Sequence, residues 1–182
     1  MTAKPPKAPM ARLDRLLANL GYGSRREVAS LVQHKQVELD GVALRDAGAR
    51  IAVTPDLPQR MTVVGRPLDP PAPLTVLMHK PLDVVCSHKE SGRSVYELLP
   101  NRWQARMPGL STIGRLDKDT TGLLLITDDG GFLHRVISPR HHVAKRYLAT
   151  LDRPLEGHEV EAFASMDVKA DAGGYKVVEA RK

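Results

Sequence analysis

Aromatic residues are scarce, with one Trp, four Tyr and two Phe in 182 residues, so any core must be built mainly from Leu, Val, Ile and Ala. There is one cysteine, Cys86. That excludes an intrachain disulfide and an all-cysteine metal site, and it fits a reducing, cytoplasmic setting. No apolar run approaches the roughly 18 residues of a membrane span, so no membrane partner is expected. The opening MTAKPPKAPM lacks the apolar stretch of a secretory signal and reads as a disordered tail over residues 1–11. What the chain does have is a hydrophobic content of 42%, which supports a packed core and argues against wholesale disorder. Its length suits one ordinary domain, or a small domain tied to a larger one.

The formal charge is +6 and the sequence pI is 9.6. Both suggest a polyanionic partner, although a basic but ordinary surface would give the same totals. The distribution is more informative. Residues 1–66 hold 11 Lys/Arg against 6 Asp/Glu, and residues 67–182 hold 16 against 15, so nearly all the excess sits in the first third.

Within that third, RLDRLLANL places Leu13, Leu16, Leu17 and Leu20 at i, i+3, i+4 and i+7, one face of an amphipathic helix ended by Gly21. Ser24 opens SRRE, a Ser-x-x-Glu capping box, and a second helix follows with Val28, Leu31 and Val32 turned inward. Arg25 and Arg26 lie in its first turn, where cations oppose the helix dipole. Local stability does not explain them, so an external anion is the expectation. VELDGVAL then reads as a hairpin around Asp40-Gly41, with further strands at 50–53 and 61–64. This stretch resembles the RNA-binding module shared with ribosomal protein S-four. The resemblance implies phosphate contacts from Arg12, Arg15, Arg25, Arg26 and Lys35, which would position an RNA without reading its sequence.

Residues 67–73, PLDPPAP, carry four prolines and predict a stiff, extended linker between an RNA-binding domain at 12–66 and a second domain at 74–182. In the second domain, strands are expected at 74–78, 84–86 and 123–127. Helices are expected at 94–99, near 132–137 and near 159–166. Strands and helices mix without regular alternation, so the fold class is α+β.

The segment 114–122 is a loop dense in polar groups, directly before the apolar strand LLLIT. A polar loop fixed on a buried strand is where reactive groups are usually held. Three readings compete on the residues alone. Asp117, Asp119, Thr121 and Gly122 match the first half of a calcium loop with Asp128 at its twelfth position, but that motif needs a helix on each side. A phosphatase-type Asp-x-Asp-x-Thr loop should follow an apolar strand, not precede one. The third reading is an Asx-type turn whose carboxylates bond the backbone.

GRLDKDTTGLLLITDDG is similar to the signature of the RsuA-like rRNA pseudouridine synthases, the small-subunit-rRNA branch. SPRHHVAKRYLATLDRPL downstream and MHKPLDVVCS upstream continue the match. With the N-terminal module, the resemblance covers roughly residues 12–165. It implies a catalytic domain of mixed, mainly antiparallel sheet, joined flexibly to the RNA-binding module. The essential aspartate maps to Asp117, and the tyrosine that packs on the target base maps to Tyr147. Arg115 is a further candidate, positioned to pair with Asp117 or hold a phosphate. Arg140, His141 and Lys145 belong to a basic loop that suits RNA backbone. No third ligand stands at a plausible spacing from His141-His142, so no metal is expected.

The implied reaction, uridine to pseudouridine in rRNA (most readily 16S, within an assembling small subunit), needs no redox step or energy source, so no cofactor is expected. A carboxylate can serve as nucleophile or base beside the ribose. The family also carries a later Glu-Gly-Arg-Tyr-His-Gln-Val motif. Here the chain ends in DVKADAGGYKVVEARK, so the catalytic domain is expected to be present only in part. The competing reading is a non-catalytic RNA-binding or ribosome-assembly factor on the same scaffold. A monomer is expected in either case.

Overall fold

The computed structural model describes residues 8–87, 89–141, 143–148 and 156–158, and it divides into two compact units with the break after Leu133. The chain opens with β1 (Met10–Arg12), α1 (Leu13–Asn19), α2 (Arg25–Gln33), β2 (Val37–Leu39), β3 (Val42–Ala43), β4 (Arg50–Ala52), α3 (Leu57–Arg60), β5 (Met61–Val63) and β6 (Arg66–Pro67). Strand β1 pairs antiparallel with β4, Ala11 facing Ile51. The tail expected to lack structure through residue 11 thus enters a strand at Met10. Three residues are too few to show an alternation, and the strand's partner lies far along the chain.

Leu13, Leu16, Leu17 and Leu20 are all buried, as the helical spacing requires. They pack with Val28, Val32, Val37, Ile51, Leu57, Met61, Val63 and Leu68 in one continuous core. Leu31 is only partly buried at its edge. Helix α2 begins with a complete capping box: the Ser24 hydroxyl accepts from Glu27 N, and the Glu27 carboxylate accepts from Ser24 N. The β2–β3 hairpin turns on Asp40 and Gly41, at φ 52° and 76°. A two-residue turn matching the twist of its strands needs both residues in that left-handed region, which explains Asp-Gly here. The second sheet runs β3-β2-β5-β6, all antiparallel.

Beyond the proline-rich stretch come β7 (Thr75–Lys80), β8 (Ser111–Ile113), β9 (Gly122–Thr127) and α4 (Gly130–Ile137). These strands form an antiparallel sheet ordered β7-β9-β8. Alternation along β9 sends Leu124 and Ile126 into a core with Val84, Cys86, Val95, Leu99 and Leu110. The opposite face leaves Leu77 73% and Leu123 63% exposed. The strand expected at 84–86 is instead buried irregular chain with a single parallel bridge, Val85 to Ser94. Its apolar run records burial and not pairing. The short helix expected at 94–99 is a 3₁₀ turn, Val95–Leu98, started by a second capping box from Ser94 and Glu97. Another 3₁₀ turn spans Asn101–Ala105. Helix α4 starts where the Asp129 carboxylate accepts from Phe132 N. The helix expected near 159–166 lies outside the described residues. The class is α+β with antiparallel sheets, as the sequence indicates.

Candidate active site

Asp117 sits in the turn between β8 and β9, exposed, and its neighbours are fixed on both sides. Before it, the Leu116 side chain packs against the sheet core and its N–H donates to Cys86 Sγ at 3.5 Å. After it, the Lys118 carbonyl accepts from Asp83 N at 2.9 Å. The turn closes through Thr120 N donating to the backbone carbonyl of Asp117 at 3.0 Å. That bond uses the main chain and not the carboxylate, so an Asx-type turn is not what holds the loop at Asp117. The carboxylate makes no hydrogen bond or ion pair among the described residues.

Beneath this loop lies Lys80, the last residue of β7 and fully buried. Its three ammonium hydrogens have three carbonyl acceptors: Thr120 at 2.8 Å, Pro81 at 3.0 Å and Lys118 at 3.3 Å. A buried ammonium is costly unless its donors are met. Here they are met by the loop's own backbone, so the charge holds residues 118 and 120 in place. The result is a carboxylate presented on a stiffened loop, the arrangement that lets a reacting group keep its aim. Sequence reasoning missed Lys80, although a signal existed. Val76, Met78 and Lys80 share a parity on β7, which puts the lysine on the core face.

The nearby cations are engaged elsewhere. Arg115 pairs with Glu90, not with Asp117 as one expectation had it. Lys118 Nζ lies 4.0 Å from Asp83 Oδ1. A cleft of about 420 Å³ is lined by Glu90, Ser94, Tyr96 and Trp103 among others, and Asp117 is not part of its wall. The calcium-loop alternative loses its twelfth position, because Asp128 is buried in an ion pair with Arg106 at 2.8 Å. Strand β9, where that motif needs a helix, removes the rest.

In the N-terminal module the Asp14 carboxylate receives both Arg12 (3.0 Å) and Arg25 (2.6 Å). The two guanidiniums, Arg12 foremost, hold its carboxyl well below the usual carboxylate range, and Asp14 in turn raises Arg12. An internal anion therefore accounts for Arg25 at a helix start, where an external one was expected. Both arginines stay more than half exposed, at 53% and 59% of their side chains, and the cluster keeps one net positive charge. Arg15, Arg26 and Lys35 are exposed as well.

In the second unit, residues Pro139–His141 form a 3₁₀ turn, and Arg140, His141 and Lys145 are exposed. Lys145 Nζ donates to the Val136 carbonyl at 3.2 Å. Tyr147 is 60% exposed on irregular chain. His142 lies outside the described residues.

A module with an exposed set of arginines, followed by a sheet that presents the exposed Asp117 carboxylate, makes a candidate nucleic-acid-modifying enzyme. Comparison with known proteins gives the family. Residues 74–180 match RNA pseudouridylate synthase, and residues 11–54 match the S4 domain. The chain belongs to the RNA pseudouridylate synthase family. An uncharacterized RNA pseudouridine synthase of Bacillus subtilis (strain 168) is 37% identical over 174 residues, covering 93% of this chain and 69% of its own. Two proteins named ribosomal small subunit pseudouridine synthase A are also similar. That of Yersinia pestis is 39% identical over 154 residues and that of Vibrio cholerae 35% over 153, each covering 84% of this chain and 63% of its own. The chain thus spans about two thirds of the length of these relatives.

Proposed function

We propose that this protein converts a uridine of 16S rRNA to pseudouridine in the cytoplasm, with Asp117 as the reacting carboxylate. The observation that carries the reading is the loop itself: Asp117 is exposed and unpaired among the described residues, between two anchored neighbours and above the buried Lys80. The names of the relatives support the small-subunit target. The domains follow the same reading: an RNA-binding part at 12–66, a linker at 67–73 and a catalytic part from residue 74, acting as a monomer.

The net reaction breaks the bond from ribose C1′ to N1 of the base and forms one from C1′ to C5. The proton lost from C5 is balanced by one gained at N1. No electrons are gained or lost overall, so carboxylate chemistry alone can carry it. Addition of Asp117 to the anomeric carbon, addition to the pyrimidine ring, and removal of a ribose proton all suit an exposed carboxylate. A uridine within folded rRNA must first be extruded, at about a few kcal/mol of lost stacking. The exposed ring of Tyr147 offers a stacking face worth about 1–3 kcal/mol per base. Arg12, Arg15, Arg25, Arg26, Lys35, Arg140, His141 and Lys145 supply backbone contacts, and Arg115 a phosphate contact once its Glu90 partner yields.

Asp117→Asn is the decisive variant. Pseudouridine in 16S rRNA, read by chemical mapping after incubation, is expected to vanish while RNA affinity stays within about twofold. Turnover retained in that variant would remove Asp117 from the chemistry. RNA binding by the parent protein without pseudouridine formation would favour a binding factor.

A further inference from the structure

The proline-rich stretch 67–73 is a poor hinge, because polar groups of Leu68, Asp69 and Pro70 are held by residues outside it. Pro70, Pro71 and Pro73 have no N–H, so the stretch cannot build a ladder of its own and its carbonyls must find other donors. The Pro70 carbonyl accepts from Arg106 Nη1 at 3.0 Å. At the far end, Leu74 N donates to Asp128 Oδ1 at 2.7 Å. Arg106 and Asp128 are themselves joined at 2.8 Å, with both side chains only 1% exposed. The pair thus grips both ends of residues 70–74. Replacing such a buried pair with apolar groups is often neutral or better for stability, so its distinctive contribution is a defined geometry.

The same segment reaches into the N-terminal module. The Asp69 carboxylate accepts from Arg102 at 2.7 and 3.1 Å, while Asp69 N donates to the Tyr22 hydroxyl at 3.0 Å. The Arg102 guanidinium lies over the Tyr22 ring, 4.2 Å from its centre. Met107 N donates to the Asn19 carbonyl at 2.8 Å. Gly21, at φ 86°, completes the contact, since a Cβ there would stand 2.3 Å from the Arg102 carbonyl oxygen. Residues 101–107 therefore bridge α1, the linker and the end of β9.

We propose that this bridge, with Arg106 as its positioning residue, sets a fixed reach between the RNA-binding module and the Asp117 loop. That reach would select which uridine of a bound rRNA arrives at the carboxylate. The inference rests on the function proposed above. Arg106 touches no reacting atom; it acts through the linker and through Asp128 at the end of the strand that follows the catalytic loop.

The test uses the full chain with Arg106→Met, Arg106→Lys and Arg102→Gln, and two substrates: a 16S rRNA fragment long enough for both modules and a short uridine oligonucleotide. For Arg106→Met, KM on the long RNA is expected to rise about tenfold with kcat within twofold, while kcat/KM on the oligonucleotide stays within twofold. Arg106→Lys should recover part of the loss. Independently, NMR-detected hydrogen exchange at Asp69, Leu74 and Met107 should accelerate at least tenfold in Arg106→Met while Val28 is unchanged. Equal losses on both substrates, or unaltered exchange at the three bridge amides, overturn the proposal. Should Arg106→Met fail to fold, Arg102→Gln, whose parent side chain is 36% exposed, tests the same bridge with the buried pair intact. Should the parent protein show no turnover, the proposed function fails, and the exchange measurement still decides whether the bridge holds the modules. If the parent acts on the long RNA alone, the KM and kcat split on that RNA decides together with exchange.

Discussion

The N-terminal module and the sheet that follows it distribute charge in opposite ways. The module puts eleven apolar side chains into one core with Leu68 of the linker and keeps its arginines at the surface, even when Asp14 pairs two of them. The sheet region buries Lys80, Arg106 and Asp128 while leaving Leu77 and Leu123 exposed. The first arrangement rests on an apolar core beside one buried carboxylate, Asp14, although Val42 and Val64 stay exposed, and several of its elements carry local signals. The second accepts the cost of desolvating ions in order to fix loops and linkers in stated positions. The larger apolar core lies in the module, and Lys80, Arg106 and Asp128 lie against the Asp117 loop and the linker.

Substitutions on both sides put that contrast to the test. The largest effect is expected from Leu17→Ala, which empties a fully buried site in the module core. A loss of about 2–5 kcal/mol is expected from the missing contacts and the cavity, read by denaturant unfolding. A loss under about 0.5 kcal/mol, the range usual for surface changes, would deny the module its core. Lys80→Met comes next. It keeps the bulk and removes the donors under the loop, so kcat is expected to fall about 10²-fold, as small misplacements of reacting groups do. KM should stay near its parent value and the melting of the N-terminal module should not change. An unaltered kcat would show that the loop needs no support from below.

Ser24→Ala should cost about 1 kcal/mol by removing one half of a capping box, measurable as a shift in denaturant midpoint. The smallest effect is a pH response that is nearly absent. Because Arg12 and Arg25 lower the Asp14 carboxyl, its contribution is complete above the unfolded carboxylate value near about 4 and is lost only as pH falls through the lower folded value. From pH about 5 to pH about 3, where an unpaired aspartate passes its midpoint, the carboxyl carbon shift of Asp14 should stay flat in NMR. A titration in that window would mean that the cluster is not formed in solution.

The same contrast explains what was legible beforehand. The α1 stripe, the Ser24 capping box and the Asp40-Gly41 turn are short-range signals with a fixed period or a required backbone conformation, and each is found where the sequence puts it. Strand β9 and the Asp117 loop were legible too, one from its apolar run and the other from its likeness to a known signature. Strand β1 was not, because pairing with β4 is a long-range choice that three residues cannot advertise. Nor were the partners of the charges: Arg115 with Glu90, Arg25 with Asp14 and Asp128 with Arg106 join residues 11 to 25 positions apart. Charge composition says that such residues exist and leaves open whom they meet.

Cys86 carries a practical consequence. It is the lone thiol of the chain, 5% exposed, and its sulfur accepts the amide hydrogen of the residue just before Asp117. A disulfide reagent such as Ellman's can reach it only when that neighbourhood opens, so the rate of colour release becomes a clock for breathing of the loop, with no engineered label. Saturating RNA that seats on the loop should slow the clock, and RNA held by the N-terminal module alone should leave it running at the same pace.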